Sequence, residues 1–314
     1  MARPRPVVLA IGDAIVDFVT PSLPRLPRGD AQLAVRRIHV LPGGNATNFA
    51  LQMAALGARS RFVGAVGGDP LARVLHGAFR SRRVGTRLRV VPSRPTGSTI
   101  AITWTKGRRV LVTAPGANEG LRERDIPPSA FRGVDHVHRA GFWWATGMIG
   151  RPTVRVLKRA AQAGSATSLD IATDPLGWPA ARTDLVRDCL PHVTTFLGNE
   201  EEVSHVGGAR DPLDAAREIC RLGAEEVVVH RGVRGATWVR GDQTATARGF
   251  RVRALNPTGC GDVFNAGYVF SRLKGREVRG ALSFANACAA LHLRDWDEPY
   301  PGASSVDRFL KATR

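Results

Sequence analysis

Cysteine, lysine and long apolar runs are all scarce in this chain of 314 residues. Its four cysteines, Cys189, Cys220, Cys260 and Cys288, are scattered with no C-x-x-C pair. That fits reduced thiols better than a disulfide framework or a zinc site. No stretch approaches the roughly 20 apolar residues that span a bilayer, and Met1-Ala-Arg-Pro-Arg-Pro6 leads at once into the short run Val7 to Ile11. The expectation is a cytoplasmic protein with no membrane partner. Lysine occurs only at Lys106, Lys158, Lys274 and Lys311, so nearly all of the 45 basic residues are arginine, spread along the chain. The net charge of +18 therefore reads as a compositional bias on solvated faces. No specific nucleic-acid partner is expected, although a positive field speeds encounter with small anions.

What remains is ordinary globular material. Hydrophobic residues make up 43% of the chain, and the length allows one main domain with an appendage. Strand-like segments at Val7 to Ile11, Arg61 to Val66, His136 to Ala140, Ala166 to Ile171, Thr194 to Leu197 and Glu226 to His230 alternate with helical patterns such as Val154 to Ala163 and Pro212 to Leu222. This alternation predicts an α/β fold, a parallel sheet with helices on both faces. Two stretches break the rhythm, at about 18–40 and 96–112, and both read as antiparallel strands.

The densest chemical signal is Asn256-Pro-Thr-Gly-Cys-Gly-Asp262, followed by Val263, Ala266, Gly267, Phe270 and Leu273 at helical spacing. The spacing puts Gly259 to Asp262 at a helix N-terminus, where unpaired amides and the dipole favour an anion. Taken alone, the segment also fits a glycine turn with Asp262 as a simple N-cap. A second glycine motif, Leu41-Pro-Gly-Gly-Asn-Ala-Thr-Asn48, opens a small-residue helix and is followed by Gly57-Ala-Arg-Ser-Arg-Phe-Val-Gly-Ala-Val-Gly-Gly-Asp69.

Together the two segments resemble the paired signatures of the ribokinase-like (PfkB) carbohydrate kinase family, in matching order from Val8 to about Phe309. The resemblance implies a single kinase domain over 1–314. Its fold would be a ribokinase-like three-layer sandwich with a mostly parallel central sheet, plus a small β-sheet lid formed by the two irregular stretches. It implies an ATP-dependent phosphotransferase that passes the γ-phosphate to a hydroxyl of a small sugar or sugar-like substrate. Asp262 would be the catalytic base, with the amides of Gly259, Cys260 and Gly261 facing the transferring group.

The remaining assignments follow from further segments. Asn199 and Glu202, in Phe196-Leu-Gly-Asn-Glu-Glu-Glu202, match an N-x-x-E motif that would hold Mg²⁺ mostly through water. Acidic residues in a first helical turn are also favourable on dipole grounds alone. Gly232, Gly235 and Asn286 match positions near the nucleotide. Asp13 and Asp17, at the end of the first strand, would accept hydrogen bonds from substrate hydroxyls, joined by Gly43, Gly44, Asn48 and Asn118. Any of these equally suits a turn.

Departures from the pattern matter too. Asn256 stands where the family usually has Asp, which leaves a monovalent-cation site in doubt. Cys260 replaces Ala, and its place at a helix N-terminus predicts a lowered thiol pKa. A D-x-N-x-R stretch keeps Asp170 but no Arg, which leaves a nucleoside kinase open as the alternative. Phe142-Trp-Trp144 reads either as a stacking surface or as core. A Rossmann dehydrogenase is set aside because Gly12-Asp-Ala-Ile-Val-Asp17 follows the first strand in place of G-x-G-x-x-G. A non-catalytic ligand sensor on the same fold is disfavoured by the intact Asp262. An exposed lid edge would permit a homodimer.

Overall fold

The computed structural model describes residues 5–25, 29–104 and 108–313. Its largest element is a nine-stranded sheet made of β1 (Val7–Ile11), β4 (Arg59–Val66), β5 (Gly85–Val90), β8 (His136–Arg139), β9 (Ala166–Asp170), β10 (Thr195–Asn199), β11 (Glu226–His230), β12 (Ala236–Arg240) and β13 (Gln243–Ala247). Side chains along β1 show why it lies in the middle. Val8 and Ala10 pack into one core while Leu9 and Ile11 pack into another on the opposite face. A strand buried on both sides reads as a continuous apolar run rather than an alternation.

The spatial order is β13-β12-β11-β10-β9-β8-β1-β4-β5, with β12 alone running against the others: it pairs antiparallel with both β11 and β13. The first face carries α1 (Asn45–Ala55), α2 (Pro70–Ser81), α7 (Cys260–Leu273), α8 (Val278–Leu293) and α9 (Ala303–Ala312). The other carries α3 (Arg151–Gln162), α4 (Ala180–Arg187), α5 (Glu200–Gly207) and α6 (Pro212–Arg221). From β1 the chain runs outward to β4 and β5, then returns to β8 on the other side of β1. That reversal opens a crevice at the carboxyl ends of the central strands, the usual ligand position in open α/β sheets.

Helix starts follow local chemistry. Asp69 caps α2 by accepting from the Ala72 amide, with Pro70 in the first turn. Asn199 and Glu202 form a reciprocal capping box at α5.

A second, four-stranded sheet has the order β3-β2-β6-β7, from β2 (Ile15–Val19), β3 (His39–Gly43), β6 (Gly97–Trp104) and β7 (Arg108–Ala114). The lid expected at 18–40 and 96–112 is therefore present, with two corrections. The first stretch is not a strand throughout: it holds the ends of β2 and β3 joined by irregular chain, and 26–28 lie outside the described residues, as do 105–107 in the second. The sheet is also mixed, because β2 runs parallel to β6. Only a long crossover can join parallel neighbours, and here it includes α1, β4, α2 and β5.

Candidate active site

Cross-strand register separates the two faces of the lid. Asp17 pairs with Thr99, which pairs with Thr113, and all three line a cleft of about 650 Å³ between the lid and the large sheet. The neighbouring row, Val40, Phe18, Ile100 and Val112, faces the other way.

At the centre of the cleft stands Asp262, the third residue of α7 and 4% exposed. It does not cap its own helix, whose N-cap is Gly259 at φ 82. A Cβ on Gly259 would lie 2.7 Å from the Asn48 side-chain amide, so both the backbone conformation and the space require glycine. The Asp262 carboxylate instead accepts one hydrogen bond from Asn45 Nδ2 and one from Asn48 Nδ2, each 2.9 Å. Those amides sit one helical turn apart on α1, and Asn48 Oδ1 accepts in turn from the Tyr300 hydroxyl at 2.8 Å. Burial, reinforced by Asp170, pushes the Asp262 carboxyl well above its ordinary value, while the two asparagines pull it down. The Asp170 carboxyl is itself raised to about 6, chiefly by burial; it accepts from Asn265 Nδ2 at 2.5 Å and from the Ala172 amide at 2.9 Å.

The lid end of the cleft holds Asp17, whose carboxyl burial raises to about 7, with Asp13 adding to the shift and Thr99 and Arg109 opposing it. Gly43 passes so close that a Cβ there would lie 2.1 Å from Asp17 Oδ2. Asp13 lines the cleft, but its two oxygens accept from the amides of Asn45 and Ala46 at 3.0 and 2.9 Å. It thus satisfies the start of α1, which Gly44 as N-cap cannot do. Gly44 and Asn48 also line the cleft. Asn118 does not: it is fully buried, its Oδ1 accepting from the Ala14 amide and its Nδ2 donating to the carbonyls of Ala14 and Pro115. Every polar atom of that side chain ties two loops together, so the structure gives it no surface for a substrate.

At the other end, Asn199, Glu202, Gly232, Gly235 and Asn286 all line the cleft. Asn286 donates to the carbonyls of Ala247 and Arg248, each 3.2 Å. Val233, Phe250, Val252, Ala289 and Leu293 give this end an apolar wall. Burial, then Asp170, raises the Glu202 carboxyl to about 8. Its Oε2 and the Asn199 Oδ1 are committed to the capping box. Among the described residues no three His, Cys, Asp or Glu side chains form a metal cage. Buried carboxylates whose oxygens are partly engaged fit a hard cation that keeps most of its waters and binds chiefly through them.

One sequence expectation is corrected outright. The Cys260 thiol pKa is raised, not lowered, because burial outweighs the neighbouring Arg109 charge. Of Phe142-Trp-Trp144, the first two are core and Trp144 lines the cleft.

Sequence reading passed over Asn45, Thr99, Arg109, His230, Asn265 and Tyr300. Asn45 carried a usable signal, since it lies three residues before Asn48 on one helical face. Arg109 reaches from β7 to donate to the Pro257 carbonyl at 2.8 Å, and burial lowers the His230 imidazole to about 4. Nothing local marks these long-range partners.

A glycine-lined helix start beside a buried carboxylate, at the reversal point of a parallel sheet and under a β lid, defines a small-molecule phosphotransferase. The model of the pfkB family carbohydrate kinases matches residues 6–295. The chain belongs to that family and is a carbohydrate kinase. It is 27% identical over 309 residues to an ATP-dependent ribose-1-phosphate kinase of Halopiger xanaduensis, covering 96% of this chain and 97% of that protein. It is 26% identical over 284 residues to the ribokinase of Bacillus subtilis, covering 90% of this chain and 92% of that one. Arabidopsis thaliana ribokinase complexed with ribose and ATP shares the fold at TM-score 0.80 and 23% identity, over 99% of each chain. Xylella fastidiosa fructokinase with bound ATP does so at 0.82 and 20%, over 98% of each. No helix among the described residues is long and apolar enough to cross a membrane.

Proposed function

We propose that the chain transfers the γ-phosphate of ATP, with Mg²⁺, to a hydroxyl of a small sugar bound between Asp17 and Asp262. The observation that carries this reading is the Asp262 carboxylate, fixed by two asparagine amides beside the glycine-lined start of α7. A base must be within hydrogen-bond reach of the attacking hydroxyl and in line with the phosphate. Asp262 would meet the first requirement for a sugar seated between the lid and α1, where it lines the cleft. Gly259, Cys260 and Gly261 expose backbone amides to charge on the transferring group.

Asp17 accepts from the sugar hydroxyls as an ionised carboxylate, while the apolar wall around Val233 and Phe250 seats the adenine. Asn199 and Glu202 would hold Mg²⁺ through its water, and the ion would neutralise phosphate charge in the cleft. The exposed outer row of the lid, with Val40 at 47%, Ile100 at 51% and Val112 at 59%, suits a second copy of the chain, giving a homodimer through the lid. A panel of sugars, sugar phosphates and nucleosides, assayed for acceptor-dependent ADP release, tests the reading. Turnover with a sugar is expected. Turnover with nucleosides alone would replace the acceptor class, and ATP hydrolysis indifferent to every acceptor would overturn the proposal.

A further inference from the structure

Behind the anion loop lies a cavity of about 20 Å³, room for about one water, bordered by Asp17, Asn48, Asn256, Thr258, His292 and Tyr300 among others. His292, near the end of α8, is 2% exposed. Its Nδ1 lies 2.5 Å from the Pro299 carbonyl oxygen, and its Nε2 lies 2.7 Å from the Thr258 carbonyl oxygen. A neutral imidazole carries a single N–H. One of the two contacts would then set a ring lone pair against a carbonyl lone pair at hydrogen-bond distance. With a proton on both nitrogens, both contacts become donated, charge-assisted hydrogen bonds, whose short lengths fit.

We infer that His292 is a positioning residue, an imidazolium clamp that fixes the anion loop and the catalytic carboxylate relative to each other. The inference rests on the kinase reading above. Two routes run from the ring. On the loop side, the Thr258 carbonyl belongs to the peptide whose nitrogen is that of Gly259. In a planar trans peptide the C=O and N–H point in opposite directions. Holding the carbonyl against His292 therefore aims the Gly259 N–H away from the ring, on the side where Gly259, Cys260 and Gly261 line the cleft. On the other side, Pro299 precedes Tyr300, whose hydroxyl donates to Asn48, and Asn48 donates to Asp262.

Burial is the larger effect and draws the ring's pKa below its ordinary value, while the two carbonyls oppose it. The second N–H rests on the geometry, a carbonyl oxygen at hydrogen-bond distance from each ring nitrogen. The charged and titratable groups around the ring are Asp17 from β2, which borders the same cavity, and Tyr300, 6.2 Å from it centroid to centroid. Arg82, just past the end of α2, lies over the Tyr300 ring, 5.1 Å from its centre.

Two measurements test the clamp. In wild-type protein labelled with ¹⁵N-histidine, both ring nitrogens of His292 should show the N–H type of shift at pH 7. A pyridine-type shift on either nitrogen would overturn the inference. The second measurement is the kinetics of His292→Ala, where kcat should fall about tenfold to a hundredfold, the cost of a small misplacement of reacting groups, with the acceptor KM little changed. Added imidazole should restore part of that loss. Wild-type kcat in the folded variant would also overturn the clamp. If His292→Ala does not fold, the ¹⁵N shifts of the wild type decide alone. If no acceptor is phosphorylated by the wild type, the kinase reading fails while those shifts still report on the ring.

Discussion

The two ends of the cleft are built in different ways. The anion end is contiguous chain: Gly259, Cys260, Gly261 and Asp262 form the start of one helix, and what they present is mainly backbone. The acceptor end is assembled from side chains on separate strands, with Asp17 on β2, Thr99 on β6, and Arg109 and Thr113 on β7. A short motif can specify the first, because amides need only a conformation. The second depends on register across a small mixed sheet, which no local pattern encodes. On the proposed reading, the phosphoryl-transfer machinery is readable from a few residues, while acceptor choice is spread over the lid.

The comparison can be broken at its strongest point by Asp262→Asn. Removing the base while keeping its size should cost about 10² to 10⁴ in turnover, with ATP affinity held near wild type because the amide cradle stays. Turnover close to wild type would mean that the helix start alone performs the chemistry.

A smaller effect concerns the acceptor end. The Asp17 carboxyl lies at about 7 in the folded protein against 3.8 ordinarily, chiefly through burial. Only the ionised form is a pure acceptor for sugar hydroxyls, so sugar affinity should be present above that value and lost as the pH falls through it. Between pH 6 and 8 the acceptor KM should drop roughly tenfold, and Asp17→Asn should abolish the trend. A flat wild-type profile would detach Asp17 from the substrate.

The outer face of the lid sharpens the comparison further, by asking whether the acceptor end is complete in one chain. Ile100→Asp should shift the sedimenting species from dimer to monomer; a wild-type chain that sediments as a monomer at micromolar concentration would remove the lid-to-lid contact. Smallest of all should be the effect of Cys260. With its thiol pKa raised by burial, iodoacetamide should inactivate the enzyme slowly, and Cys260→Ala should behave as wild type. Rapid, ATP-protected inactivation would restore the reactive thiolate.

The fold was largely legible because its central strands are apolar on both faces and because α2, α5, α6 and α8 each start at a side-chain cap. Val7–Ile11 ends where its hydrophobic run ends, and Glu226–His230 extends one residue to either side of Val227 to Val229. The parallel pairing of β2 with β6 was not legible, since alternation in Thr99, Ala101 and Thr103 announces a half-buried strand without its direction. In the site, glycines and Asp262 stood out, whereas Asn118 looked like a contact and proved to be a loop tie. Turn-forming asparagines bind backbone as readily as ligands do. Cys260 misled for a related reason: the helix terminus favours a thiolate, but burial opposes it more strongly.

The division of labour within the cleft is tested most directly by calorimetry of Asp17→Ala, titrated separately with MgATP and with the sugar that supports turnover. Each lost charged hydrogen bond is worth about 1.5 to 3 kcal/mol, so sugar affinity should fall at least tenfold while MgATP binds as in the wild type. An unchanged sugar affinity accompanied by weakened MgATP binding would contradict the assignment of the two ends.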